Sequence, residues 1–110
     1  MTNHFGIPMK EKIVKFEKSK IKGKKYKVTI KNKKTSKERT LHFGGLGYEQ
    51  YKDSTPLKLY ENVNHNTKKR RDNYFSRHSG IKNKKKATLK EIKKSKRLYN
   101  AKILSHIYLW

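Results

Sequence analysis

The stretch Lys24-Lys25-Tyr26-Lys27-Val28-Thr29-Ile30-Lys31-Asn32-Lys33-Lys34-Thr35-Ser36-Lys37-Glu38-Arg39-Thr40-Leu41-His42-Phe43 decides the fold. Tyr26, Val28 and Ile30 alternate with Lys27, Thr29 and Lys31. That is period two, the mark of a strand with one buried and one wet face. The polar run 32–37 then reads as a hairpin loop. Arg39 to Phe43 follows, with Leu41 and Phe43 on one side. Upstream, Ile13-Val14-Lys15-Phe16 is a short strand candidate, and Gly23 among lysines marks a turn. The expectation is a three-stranded antiparallel meander over 12–43 with lysines on its outer face.

Working outward, residues 1–11 read as an extended arm, with Gly6 and Pro8 as breakers. Gly44-Gly45-Leu46-Gly47 ends the sheet. It lacks the Lys-Ser/Thr ending of a phosphate-cradling loop, so it reads as a sharp turn that needs positive φ. The stretch 48–60 is mixed, and 62–66 is turn-like. The part from 66 to 110 is helical in character. Asn66 or Thr67 serves as N-cap of a first helix, and Gly80 as its C-terminal stop. Residues 82–86 read as a linker, and Thr88 with Glu91 reads as a capping box opening a second helix. Ile103, Leu104, Ile107 and Tyr108 fall at helical spacing in the most apolar segment, which is expected to pack on the inner face of the sheet. The fold class is therefore α+β: a small three-stranded antiparallel sheet, then two or three short helices, in one small domain over 12–110.

Charge sets the partner class. Lys and Arg number 31 of 110 residues, Asp and Glu eight, for a net charge of +23. A body of this size holds such charge against strong self-repulsion unless a polyanion neutralises it, and nucleic acid is the natural polyanion. Leu, Ile, Val and Phe total 23 residues. That is near the limit for a folded chain of such charge, so stability is expected to be marginal alone and raised by a polyanion. The basic residues fall into two equal blocks, fourteen in 10–39 and fourteen in 68–97. Lys24, Lys25, Lys27, Lys31, Lys33 and Lys34 are assigned to one phosphate-binding patch. Lys68, Lys69, Arg70, Arg71 and Arg77 are assigned to another, with Lys84, Lys85 and Lys86 as a flexible clamp. On a helix, Arg70, Tyr74 and Arg77 share one side while Arg71, Phe75 and His78 share another. Arg forks match phosphate oxygens, and lysine supplies charge without planar recognition. The expected binding is to the backbone, with little base specificity. The Lys68–Arg71 run also fits a nuclear-localisation patch or a solvated basic helix.

Catalysis finds no support. The carboxylates are scattered among lysines, no nucleophile–base arrangement stands out, and the five histidines lack paired spacing. Asn64-His65-Asn66 lacks the surroundings of a nuclease motif. Without cysteine there is no disulfide framework and no Cys-based zinc site. No enzyme, cofactor, metal or small-molecule substrate is expected. The N-terminal twelve residues lack a signal-peptide apolar region, and Ile103–Trp110 is too short to span a bilayer, so no membrane partner is expected.

Five short strings carry a resemblance. They are Leu41-His42-Phe43-Gly44 with Gly47-Tyr48-Glu49-Gln50-Tyr51, then Arg77-His78-Ser79-Gly80-Ile81-Lys82 with Lys93-Lys94-Ser95-Lys96, and finally residues 103–110. Over roughly residues 24–110 the chain resembles a family of small basic proteins of large nucleocytoplasmic DNA viruses of algae and protists. The resemblance implies a viral product, in the virion or in a viral factory of the host cytoplasm (or host nucleus), and carries no catalytic residues. It implies backbone roles for Gly44, Gly47 and Gly80. It implies core roles for Phe43, Tyr48, Tyr51, Tyr74, Leu104, Tyr108 and Trp110, and a polar network of Arg77 and His78 with Ser105 and His106. The expected partner is nucleic acid, DNA before RNA, or else the acidic surfaces of capsid subunits met by a minor capsid or cement protein. Composition alone also fits a ribosomal-protein-like RNA binder.

Overall fold

The computed structural model describes residues 6–110. Its sheet has strands β1 (Glu11–Lys18), β2 (Lys24–Asn32) and β3 (Glu38–Gly45) in the antiparallel order β1-β2-β3. Three helices follow: α1 (Lys68–Ser79), α2 (Lys84–Lys94) and α3 (Ala101–Tyr108). The α+β architecture matches the expectation from the sequence. The period-two strand is the central one. Phe16 and Leu41 flank Val28, and Phe43 flanks Tyr26. A register shift between Ile13 and Lys15 leaves Val14 half exposed. This edge strand is longer than its apolar tetrad implied, because ladder hydrogen bonds continue through charged residues.

Helix α3 covers the inner face of the sheet. Ile103, Leu104 and Ile107 pack with Tyr26, Val28, Ile30 and Phe43, joined by Met9, Ile92 and Leu109. Each fully buried aliphatic side chain of this kind contributes about 2 kcal/mol. Tyr74, Phe75 and Ala87 form a second cluster where α1 meets α2, and Trp110 touches both clusters.

The end of the arm is part of the fold. Met9 is buried, the Lys10 N–H donates to the Arg97 carbonyl, and β1 starts at Glu11. The rest of the arm, residues 1–5, lies outside the described residues.

The second helix begins earlier than its capping-box pattern implied. Asn83 is the N-cap, its side chain accepting from the Lys86 N–H at 3.0 Å. Residues 84–86 are thus the first helical turn and not a flexible linker. Thr88 is buried inside the helix, and Glu91 is buried as the acceptor of the Ser79 hydroxyl. Asn caps as well as Thr does, so local pattern could not choose between the two starts. Helix α1 ends as expected on Gly80, in the left-handed conformation at φ 71°.

The segment between β3 and α1 has one helical turn of its own, Glu61–Val63, and folds back across the sheet end. Its anchor is the fully buried Asp53 carboxylate. That group accepts from the Tyr26 hydroxyl, from the Tyr60 N–H at 3.1 Å, and from both the N–H and hydroxyl of Thr55. Burial, then this hydrogen bond to Asp53, pushes the Tyr26 phenol up to about 12. No helix among the described residues is long and apolar enough to cross a membrane.

Candidate nucleic-acid interface

The first lysine patch does not form one cluster. Lys24 pairs with Gly45 at one end of β2, while Lys31 pairs with Glu38 at the other. Seven residue steps along the strand separate them, about 23 Å. Lys33 and Lys34 sit on the hairpin beyond Lys31, where the Asn32 side chain accepts from the Lys34 N–H. Lys27 is half-buried on the outer face beside Glu17.

Lys25 is a correction. Strand alternation sets it with Lys27 on the wet face, yet it is buried to 2% exposure. The returning segment closes over it, and its ammonium donates to the Tyr48 carbonyl at 2.7 Å and to the Gln50 side chain. Burial lowers its pKa, opposed by the nearby Asp53 charge. This lysine holds the loop and is not available to a phosphate.

The second patch divides as well. Lys68 and Lys69 are exposed on the first turn of α1. Arg71 lies over the Tyr51 ring, 4.4 Å from its centroid. Arg70 donates to Glu49 at 2.8 Å. The proposed clamp is corrected in part. Lys85 and Lys86 are exposed, but Lys84 is half-buried and donates to the Ile107 carbonyl. Burial, with Arg71 nearby, pushes its ammonium down to about 8.

Tertiary folding brings residues of both patches to one place. A groove of about 620 Å³ opens between the β3 end and helices α1 and α3. Lys24, Lys25, Arg70, Arg77 and Lys102 are its lining cations, Lys25 already bonded to Tyr48 and Gln50, and Glu49, already met by Arg70, is its one acidic side chain. Trp110 stacks on Tyr74 along its floor, with centroids 4.2 Å apart and an angle of 3°. Tyr48 stands at the groove with 74% of its surface exposed. The core role implied for Tyr48 is therefore overturned: its segment has turned away from the sheet at Gly47, where φ is 89°. Phe43, Tyr74 and Leu104 are buried, whereas Tyr51, Tyr108 and Trp110 are half-buried. Lys102 and Tyr48 were not among the expected site residues. Nothing local marks Lys102, which joins the groove only through the docking of α3.

Behind the groove lies a polar network, with membership different from that implied. His106, fully buried, meets the Tyr74 hydroxyl through Nδ1 at 2.9 Å and Ser79 Oγ through Nε2 at 2.8 Å. Ser79 spends its hydroxyl proton on Glu91. It must therefore accept from the His106 Nε2–H, which leaves Nδ1 to accept from Tyr74. Burial pushes the imidazole down to about 4, against the pull of Glu91. Arg77 and Ser105 line the groove instead. Among the described residues, no group of three or more His, Asp or Glu is placed to hold a metal ion. The chain matches no family model, no curated protein and no solved structure.

Proposed function

We propose that this chain is a non-enzymatic, virus-encoded basic protein that binds nucleic acid through the phosphate backbone with little sequence specificity, packaged with the genome in the virion. The observation that carries the reading is the net charge of +23, which remains after the eight carboxylates are set against 31 basic residues. A groove rimmed by Lys24, Arg70, Arg77 and Lys102 supports it, as do the exposed lysines at the start of α1 and α2. The viral setting rests on the resemblance carried by residues 24–110.

Fluorescence anisotropy on duplex DNA, titrated across salt, tests the reading. Counterion release predicts a log–log salt slope of about −5 or steeper, with binding retained near physiological salt. Loss of binding by about 150 mM salt would overturn it and direct attention to acidic capsid surfaces.

A further inference from the structure

The groove holds more than charge. Tyr48 follows a Gly-rich turn, and its ring lies against the Gly45 backbone. A Cβ at Gly45 would come within 2.8 Å of the Tyr48 Cδ2 atom. The missing side chain lets the ring rest there while most of its surface remains open to solvent. Cations stand around it. Lys24 and Arg77 make no side-chain hydrogen bond or ion pair with the described residues. Arg70 is held by Glu49, and Lys102 donates to the His78 carbonyl at 3.2 Å. An exposed aromatic face among cations is the arrangement that takes an unstacked base while its flanking phosphates meet the charges. In a duplex the base faces are covered by their neighbours, so this face can be used only by a single strand.

We propose that this groove is a base-stacking subsite for single-stranded nucleic acid, with Tyr48 as the platform and Lys24 and Arg77 as the flanking phosphate ligands. It rests on the nucleic-acid reading and gives that reading a preferred substrate: single strands over duplex. Tyr74 and Trp110 form the wall beneath, already stacked on each other. Because Trp110 is the chain's one tryptophan, its emission reports on the groove directly.

The test uses the full chain with three probes: an oligothymidylate strand, a duplex of matched charge, and inorganic polyphosphate. The expected result is tighter binding of the strand than of the duplex, with Trp110 emission changing on strand binding. Tyr48→Ala should weaken strand binding about tenfold and leave the salt slope, duplex affinity and polyphosphate affinity unchanged. Tyr48→Phe should retain strand binding, since the ring is what counts. Gly45→Ala should weaken strand binding too, by displacing the ring. Thermal melts of each variant exclude unfolding as the cause. If Tyr48→Ala changes nothing, or weakens all three probes alike, the stacking subsite is refuted while backbone binding stands. If none of the probes binds, both readings fall together.

Discussion

Lys24 and Lys25 are neighbours with identical side chains and opposite roles. Both line the groove, but Lys24 is exposed, whereas Lys25 is buried with its ammonium bonded to the Tyr48 carbonyl and the Gln50 side chain. Lys25→Met should cost about 3 kcal/mol, because the buried Gln50 side chain and the part-buried Tyr48 carbonyl lose a charged donor and Asp53 loses its compensating charge. The loss is read as a lowered Tm. Affinity for nucleic acid, corrected for the folded fraction, should not change. Lys24→Ala should do the reverse, leaving Tm unchanged and reducing the salt slope by about one. Composition made all the lysines look alike. What separates these two is a hydrogen bond to a residue 25 positions away, which no local pattern contains.

At the scale of elements, the three helices are joined by the Tyr74–His106–Ser79–Glu91 network as well as by apolar packing. Its neutral imidazole makes stability depend on pH. The unfolded histidine titrates near 6.5 and the folded one near 4. Between those values the unfolded state binds more protons, so stability rises with pH by up to about 1.4 kcal/mol per unit. Chemical denaturation between pH 4 and 6.5 should show this slope, and His106→Gln should remove most of it, leaving the smaller contributions of the same sign from His65 and His78, whose imidazoles burial also lowers. A flat profile in the unmodified protein would refute the network's role. Glu11 adds a contribution of the same sign at lower pH. Burial alone would raise its carboxyl, but Arg39 at 2.8 Å and the Tyr99 N–H hold it below the ordinary range. Its stabilisation is present above the unfolded value and lost as the pH falls through the folded one. The elements themselves were largely legible. Alternation marked β2, and the spacing of Ile103, Leu104 and Ile107 marked α3. The start of α2 was not, since Asn83 and Thr88 are both acceptable caps. Only the packing of Thr88 and Glu91 against their neighbours selects the earlier one.

The whole molecule holds its charge within a radius of gyration of 13.6 Å. That is comparable to the Debye length of about 10 Å at 0.1 M salt, so repulsion acts across much of the body. A polyanion that binds only the folded form should therefore stabilise it. Heparin at about 100 times its Kd should add about 2.7 kcal/mol, read as a rise of roughly 10 °C in Tm. No rise, in a protein shown to bind heparin, would mean that the unfolded chain binds equally well. The sequence by itself determined the fold class, the central strand, the apolar helix and the net charge from which the class of partner is proposed. These follow from periodicity and net charge, which are sums over neighbouring residues and need no coordinates. Only the tertiary structure decided which cations share a surface. Strand geometry carries Lys31 about 23 Å from Lys24, while the docking of α1 and α3 brings Arg77 and Lys102 to the same groove. It also decided that Lys25 is buried and Tyr48 exposed. Both depend on where the segment after β3 comes to rest, and long-range hydrogen bonds to Asp53, Gln50 and Tyr26 set that position.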